Sequence, residues 1–111
     1  MAGEIAVDLR AIEWETGRRP GIARKLVRGN RLGEYTTFLR LDPGVRFPSH
    51  RHPSGEELFV VEGRIRIEGR WYEAGCFVYT PPGGVHDVFS DTGAVMLIRM
   101  PGPAEMLEGD A

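Results

Sequence analysis

Apolar residues in this chain come in short runs, and no stretch keeps helical spacing for more than about two turns. The clearest pattern is alternation. In Arg64-Ile65-Arg66-Ile67-Glu68 every second side chain is aliphatic and its neighbours are charged. A period of two sets one strand face on a core and the other in water. The pattern predicts strands over Ile22–Val27, Glu34–Leu41, Val45–Arg51, Glu57–Val61, Arg64–Glu68, Cys76–Thr80, Val85–Phe89 and Ala94–Met100. Ile5–Trp14 adds one more strand or a short helical turn. Turn-forming groups separate the runs: Arg28-Gly29-Asn30, Asp42-Pro43-Gly44, Glu62-Gly63, Glu68-Gly69, Pro81-Pro82-Gly83-Gly84 and Asp91-Thr92-Gly93. In the second strand Phe38 and Arg40 share one face, and Tyr35, Thr37, Leu39 and Leu41 share the other. Alternation alone does not say which set points inward. Glu105-Met106-Leu107 reads as one helical turn or a frayed end.

Seven or eight short strands at this spacing point to an all-β antiparallel sandwich or barrel. The length, 111 residues, suits a single domain. It divides into a barrel over about residues 20–100, an N-terminal arm (1–19) and a short tail (101–111). Hydrophobic residues make up 41% and charged residues 27%, which argues against disorder. The net charge of −2 offers no basic excess for a phosphate backbone, so no nucleic-acid partner is expected. The longest apolar run, Leu58-Phe59-Val60-Val61, is too short for a membrane span. The start MAGEIAVDLR lacks the charged and apolar segments of a secretion signal, and one cysteine excludes an internal disulfide. These features lead to an expectation of a cytoplasmic protein. Cys76 reads as a small buried hydrophobe. Arg24, Lys25 and Arg28 read as a solvated basic edge, and Trp71 and Tyr72 as a cavity lining or a sheet rim.

The chemistry concentrates on histidine. All three, His50, His52 and His86, lie near turn signals. His50 and His52 stand at i and i+2, so on a strand they share a face, with backbones about 7 Å apart. That pair can close on one metal ion, and Glu56, beyond a Pro-Ser-Gly bend, can return a carboxylate to it. Asp87 points to the face opposite His86. The H-x-H pair alone is a weak signal.

The larger spacing is not. From Gly44 the chain runs five residues to His50, one to His52, three to Glu56 and six to Gly63. From Gly75 it runs five to Pro81, one to Gly83 and two to His86. These runs resemble the two signature motifs of the cupin superfamily. Nine specified positions match, on the order of one chance in 10^11 to 10^12 per register. The position four after His86 is often Asn in cupins and is Ser90 here. The resemblance implies a cupin jelly-roll barrel of two antiparallel sheets, often homodimeric. It also implies one divalent metal held by His50, His52, Glu56 and His86. Glu57 is the rival for Glu56, but the spacing back from Gly63 selects Glu56, and Glu57 falls on the opposite face.

A narrower likeness runs over about residues 12–100. Trp14, Arg19-Pro20-Gly21-Ile22, Lys25-Leu26, the run from Thr36 to Gly63 and Pro81–Ser90 resemble the cupin-like domain of ChrR-type anti-sigma factors. Stand-alone relatives of that family include enzymes that cleave β-diketones or hydroxyacetophenones with O₂. No helical sigma-binding domain is expected beside it, and the regulatory role is therefore not the first expectation. Zn²⁺ would be saturated by the four ligands, whereas Fe²⁺, Mn²⁺, Ni²⁺ or Co²⁺ would keep two open positions. Two functions follow as expectations. One is a metal-dependent oxygenase of a small diketone or phenolic ketone. The other is a non-catalytic metal- or small-molecule-binding sensor module. A homodimer is expected, with Ile5–Trp14 as its exchanged or docking element. Metal binding is expected to weaken as pH falls through about 6.5, where free imidazole protonates.

Overall fold

In the computed structural model, which describes residues 3–111, ten strands follow a short 3-10 turn at Leu9–Ala11. They are β1 (Glu15–Thr16), β2 (Ile22–Gly29), β3 (Tyr35–Leu41), β4 (Val45–His52), β5 (Glu56–Ile67), β6 (Arg70–Glu73), β7 (Phe77–Thr80), β8 (Gly84–Ser90), β9 (Ala94–Met100) and β10 (Glu105–Met106). All pairings are antiparallel, in the order β1-β2-β3-β9-β5-β8-β4-β10, with β6 and β7 also paired to β5. The expected all-β barrel is therefore the fold.

One strand holds the two sheets together. The first half of β5 pairs with β7 and β9, and its second half with β6 and β8. The sequence reading split this segment at Glu62-Gly63, and the structure corrects it: the break is a bulge inside one strand. The register against β9 shifts between Val60 and Glu62, and Gly63 takes φ +72°. A bulge bends its strand and sharpens its twist, which carries β5 from one sheet to the other. No other residue fits there, because a Cβ on Gly63 would lie 2.0 Å from the Gly93 carbonyl oxygen. Gly63→Ala is expected to cost upwards of about 2 kcal/mol, combining left-handed strain with that clash. Urea unfolding of the variant beside the parent measures it.

Three strands were missed, among them the two-residue β1, Glu15–Thr16, which pairs with Ala23 and Arg24 of β2. Arg70–Glu73 folds back on Arg64–Ile67 through Glu68-Gly69, whose φ angles of +49° and +77° suit a two-residue hairpin turn. Glu105–Met106, expected to be a helical turn, instead pairs with His50 and Arg51 of β4. Sheet pairing satisfies its main-chain groups where one isolated helical turn would leave them unpaired.

The inward face of β3 is now settled: Thr37, Leu39 and Leu41 are buried. They join Ile22, Leu58, Val60, Ile65 and Met96 in the core. On the outer face the N-terminal arm lies across β2 and β3. The Trp14 ring has the Lys25 ammonium 4.9 Å and the Arg40 guanidinium 4.6 Å from its centre, and Lys25 Nζ donates to the Leu9 carbonyl at 2.8 Å. The solvated basic edge is thus corrected. Lys25 anchors the arm, Arg24 turns into the barrel, and only Arg28 is exposed. Trp71 is a rim residue stacked under Arg64 and Arg66, while Tyr72 and Cys76 pack against the core. Ser90 is fully buried and donates to the Arg64 carbonyl at 2.7 Å, tying β8 to β5.

Candidate metal centre

Three strands bring the four polar residues together. His50 and His52 alternate onto the inner face of β4, Glu56 opens β5, and His86 sits on β8 directly across from His50. A bulge in β4 between Phe47 and His50 resets the register just before the first histidine. The His52–Glu56 connection is a tight turn in which the Gly55 amide donates to the His52 carbonyl at 3.1 Å, and the Gly83 amide donates to the same oxygen at 2.8 Å. That carbonyl thus joins the two motif loops.

The donor atoms of His50, His52, Glu56 and His86 all lie within 4.8 Å of one another, and all four residues are buried. His52 Nε2 is 3.2 Å from His86 Nε2 and 3.3 Å from Glu56 Oε2, and His86 Nε2 is 3.5 Å from Glu56 Oε1. Donors bound at 2.1 Å to one ion stand about 3.0 Å apart at right angles and about 3.4 Å apart at the tetrahedral angle. The observed edges fit that spacing. The rings meet edge to face with centres 4.6 to 5.0 Å apart. His50 Nδ1 donates to the Pro48 carbonyl at 2.7 Å, which leaves its Nε2 lone pair free for the interior. Glu57 stands exposed on the opposite face. Asp87 likewise points away and is engaged by Arg46 at 2.6 Å.

These polar groups are costly to bury. His52 Nδ1 is a buried ring nitrogen with no hydrogen-bond partner. Burial pushes Glu56 up to about 8, and pushes His52 down to about 3 and His86 down to about 4; His50 is lowered for the same reason. Three neutral imidazoles and one ionisable carboxyl are a donor set that suits a divalent cation. The pH expectation therefore changes. His52 and His86 are already neutral at pH 6.5, and the proton that must leave is on Glu56. Cation binding at pH 7 is expected to release about one proton, with affinity rising up to about tenfold per unit as pH approaches 8. Titration calorimetry in buffers of different ionisation enthalpy counts that proton.

His50, His52 and Glu56 also line a cavity of about 530 Å³. Its walls are mainly apolar, including Leu39, Phe47, Leu58, Val88, Met96 and Ile98, with Arg24, Tyr35 and Thr37 adding polar atoms. Thr16–Arg18, Ala104, Met106, Asp110 and Ala111 complete its lining. His86 is not among the lining residues, so it supports the cluster from behind. Sequence reasoning missed Arg24. Its inward direction follows from its pairing opposite Leu39, which no local stretch of the sequence displays.

The profile of the ChrR cupin-like domain family matches residues 2–104. No curated protein matches the chain in sequence. Among solved structures, a candidate acetylacetone dioxygenase from Methylibium petroleiphilum PM1 superposes with a TM-score of 0.87 at 18% identity, covering 97% of this chain and 83% of that one. An acetylacetone dioxygenase from Acinetobacter johnsonii gives 0.80 at 16% identity, covering 97% and 79%. The anti-sigma factor ChrR of Rhodobacter sphaeroides, in complex with SigE, gives 0.72 at 19% identity, covering 84% of this chain and 51% of that one. At these identities the likeness is one of fold.

Proposed function

Because the chain belongs to the ChrR cupin-like family, we propose that it holds one divalent ion on His50, His52, Glu56 and His86 and acts as an oxygenase on a small diketone or phenolic ketone. One observation carries this reading: three of the four donors open onto a cavity of about 530 Å³. A purely structural centre would be closed on all sides. The volume lies within the usual range for small-molecule sites. A bound cation would supply Lewis acidity, which favours the enolate of a chelating diketone. The chain's own residues do the rest. His50 is held by Pro48, and Glu56 carries the one negative charge. The apolar wall from Phe47 to Met96 excludes water and orients a flat, mostly hydrocarbon ligand. O₂ uptake by protein reconstituted with Fe²⁺ and supplied with acetylacetone is the expected result. Uptake no faster than that of free Fe²⁺ in buffer overturns the enzymatic assignment.

A non-catalytic sensor is the second reading, and the donor edges of 3.2 to 3.5 Å favour it to the extent that they also fit a tetrahedral ion. Elemental analysis separates the two, with stoichiometric zinc and no O₂ uptake supporting the sensor.

A homodimer and a cytoplasmic location belong to the same proposal. Among the described residues no helix is long and apolar enough to cross a membrane. The arm expected to dock on a partner lies on its own β2 and β3, so the dimer contact is better supplied elsewhere. Phe59 and its cross-strand partner Phe77, with Tyr79 beside them, are exposed on the outer face of β5 and β7. Sedimentation at micromolar concentration should show a species of twice 12.4 kDa, and a lone monomer overturns it.

A further inference from the structure

The three imidazoles of the cluster are not held alike. His50 Nδ1 donates to the Pro48 carbonyl at 2.7 Å, so that ring is tied to the main chain of its own strand. His52 Nδ1 has no hydrogen-bond partner. His86 Nδ1 has the Thr80 hydroxyl beside it at 3.5 Å. Among the described residues Thr80 is the one side chain, other than the four donors themselves, that forms a hydrogen bond to any of them.

The fold fixes where that hydroxyl points. Thr80 ends β7 and pairs with Glu56 of β5, so it is buried beside two of the four donors. Gly84 and His86 lie two apart on β8 and share a face. A Cβ at Gly84 would run into the Thr80 methyl group, so the missing side chain leaves the space that the methyl fills. A β-branched side chain is stiff about its first torsion. With the methyl seated against Gly84, the hydroxyl is left turned toward His86.

The ring protons set the direction of this bond. A neutral imidazole carries one proton on its two nitrogens. His86 Nε2 faces the other donors, 3.2 Å from His52 Nε2 and 3.5 Å from Glu56 Oε1. It can offer a lone pair there only when the proton sits on Nδ1, and that proton needs an acceptor. A hydroxyl oxygen can accept it. A hydroxyl that donated instead would leave the proton on Nε2 and close that nitrogen to an ion.

We propose that Thr80 is a positioning residue of the metal centre: its hydroxyl oxygen accepts the His86 Nδ1 proton, which fixes the tautomer and presents Nε2 to the ion. The inference rests on the reading of His50, His52, Glu56 and His86 as that centre. The contact is long for a hydrogen bond, so its effect on affinity is set near the low end of the roughly tenfold to hundredfold that such partners contribute.

The test uses two variants that divide the side chain. Thr80→Val keeps the shape and removes the acceptor, and Thr80→Ser keeps the hydroxyl and removes the methyl. In competition for Zn²⁺ against a chromophoric chelator, Thr80→Val is expected to bind about tenfold more weakly than the parent, and Thr80→Ser to stay within about threefold. Parent-like affinity in Thr80→Val overturns the proposal. So does an equal loss in both variants, which marks a packing role. A second readout needs no metal. Long-range proton–nitrogen spectra of the metal-free parent are expected to place the His86 proton on Nδ1, and those of Thr80→Val to show it moving to Nε2. A proton on Nε2 in the parent, or an unchanged tautomer in Thr80→Val, overturns the proposal. Zinc titration of the parent keeps the two readings apart. A parent that binds one ion but fails the tautomer test loses the role of Thr80 and keeps the centre. A parent that binds none loses the centre, and the bond from His86 to Thr80 is then judged by the tautomer alone.

Discussion

Replacing His86 with Ala is expected to lower divalent-metal affinity by about two to three orders of magnitude, since each ligand of a four-ligand site carries several kcal/mol of the binding energy. His86 is the only donor contributed by β8, and it stands 3.2 Å from His52 Nε2 and 3.5 Å from Glu56 Oε1. Three donors from β4 and β5 would remain, open on the side that His86 closed. Because it does not line the cavity, its loss is felt by the ion before it is felt by a ligand. Glu56→Gln keeps the shape and removes the charge, so a loss of about tenfold to a hundredfold is expected. Glu57→Gln should stay within about twofold of the parent, because Glu57 is exposed on the far face of β5. Competition against a chromophoric chelator ranks all three, and circular dichroism confirms that each variant remains folded. Parent-like affinity in His86→Ala, or a larger loss in Glu57→Gln than in Glu56→Gln, would show the ligand assignment to be wrong.

Stripping the metal is expected to leave a protein that is most stable near pH 6.5 and weaker on both sides. The signs come from how each group differs between folded and unfolded chains. His52 and His86 are held down to about 3 and about 4 in the fold, against 6.5 in the free side chain. Below pH 6.5 the unfolded chain takes up protons that the folded one refuses, so stability falls as pH drops. Glu56 is held up at about 8 against 4.5. Between those values the unfolded chain gives up a proton that the folded one keeps, so stability falls as pH rises toward 8. The two trends partly cancel from pH 6.5 to 4.5. The net loss is on the order of 4 kcal/mol by pH 4, and about 2 kcal/mol by pH 8. A bound ion abolishes the alkaline loss, because Glu56 is then needed as its anion. Urea midpoints of the chelated and loaded protein at pH 4, 6.5 and 8 measure the curve. A chelated protein equally stable at all three values would contradict the buried, neutral site.

The misread segments share one cause. Glu62-Gly63 reads as a turn because Gly after a charged residue commonly ends a strand, and no local pattern distinguishes a turn from a bulge. Only the pairing of β5 with β9 on one side of Gly63 and with β6 on the other shows the chain passing through. Glu105–Met106 is too short to display a period, and its strand state exists only because β4 offers a free edge. Arg24 looks like surface charge beside Lys25 and Arg28. Its inward direction is set by its partner on β3.

The sequence by itself determined the all-β class and most strand positions, because strand alternation is local, and the resemblance of its two motifs singled out the four residues that the structure brings together. Two histidines two apart must share a strand face. The tertiary structure decided what depends on residues distant in the chain: which face of β3 points inward, how β5 joins two sheets, and how far burial moves His52 and Glu56. It also decided that a cavity of about 530 Å³ opens on three of the donors with a cation in its wall. The physical reason is that desolvation and enclosure are made by every strand at once, so no stretch of sequence carries them alone.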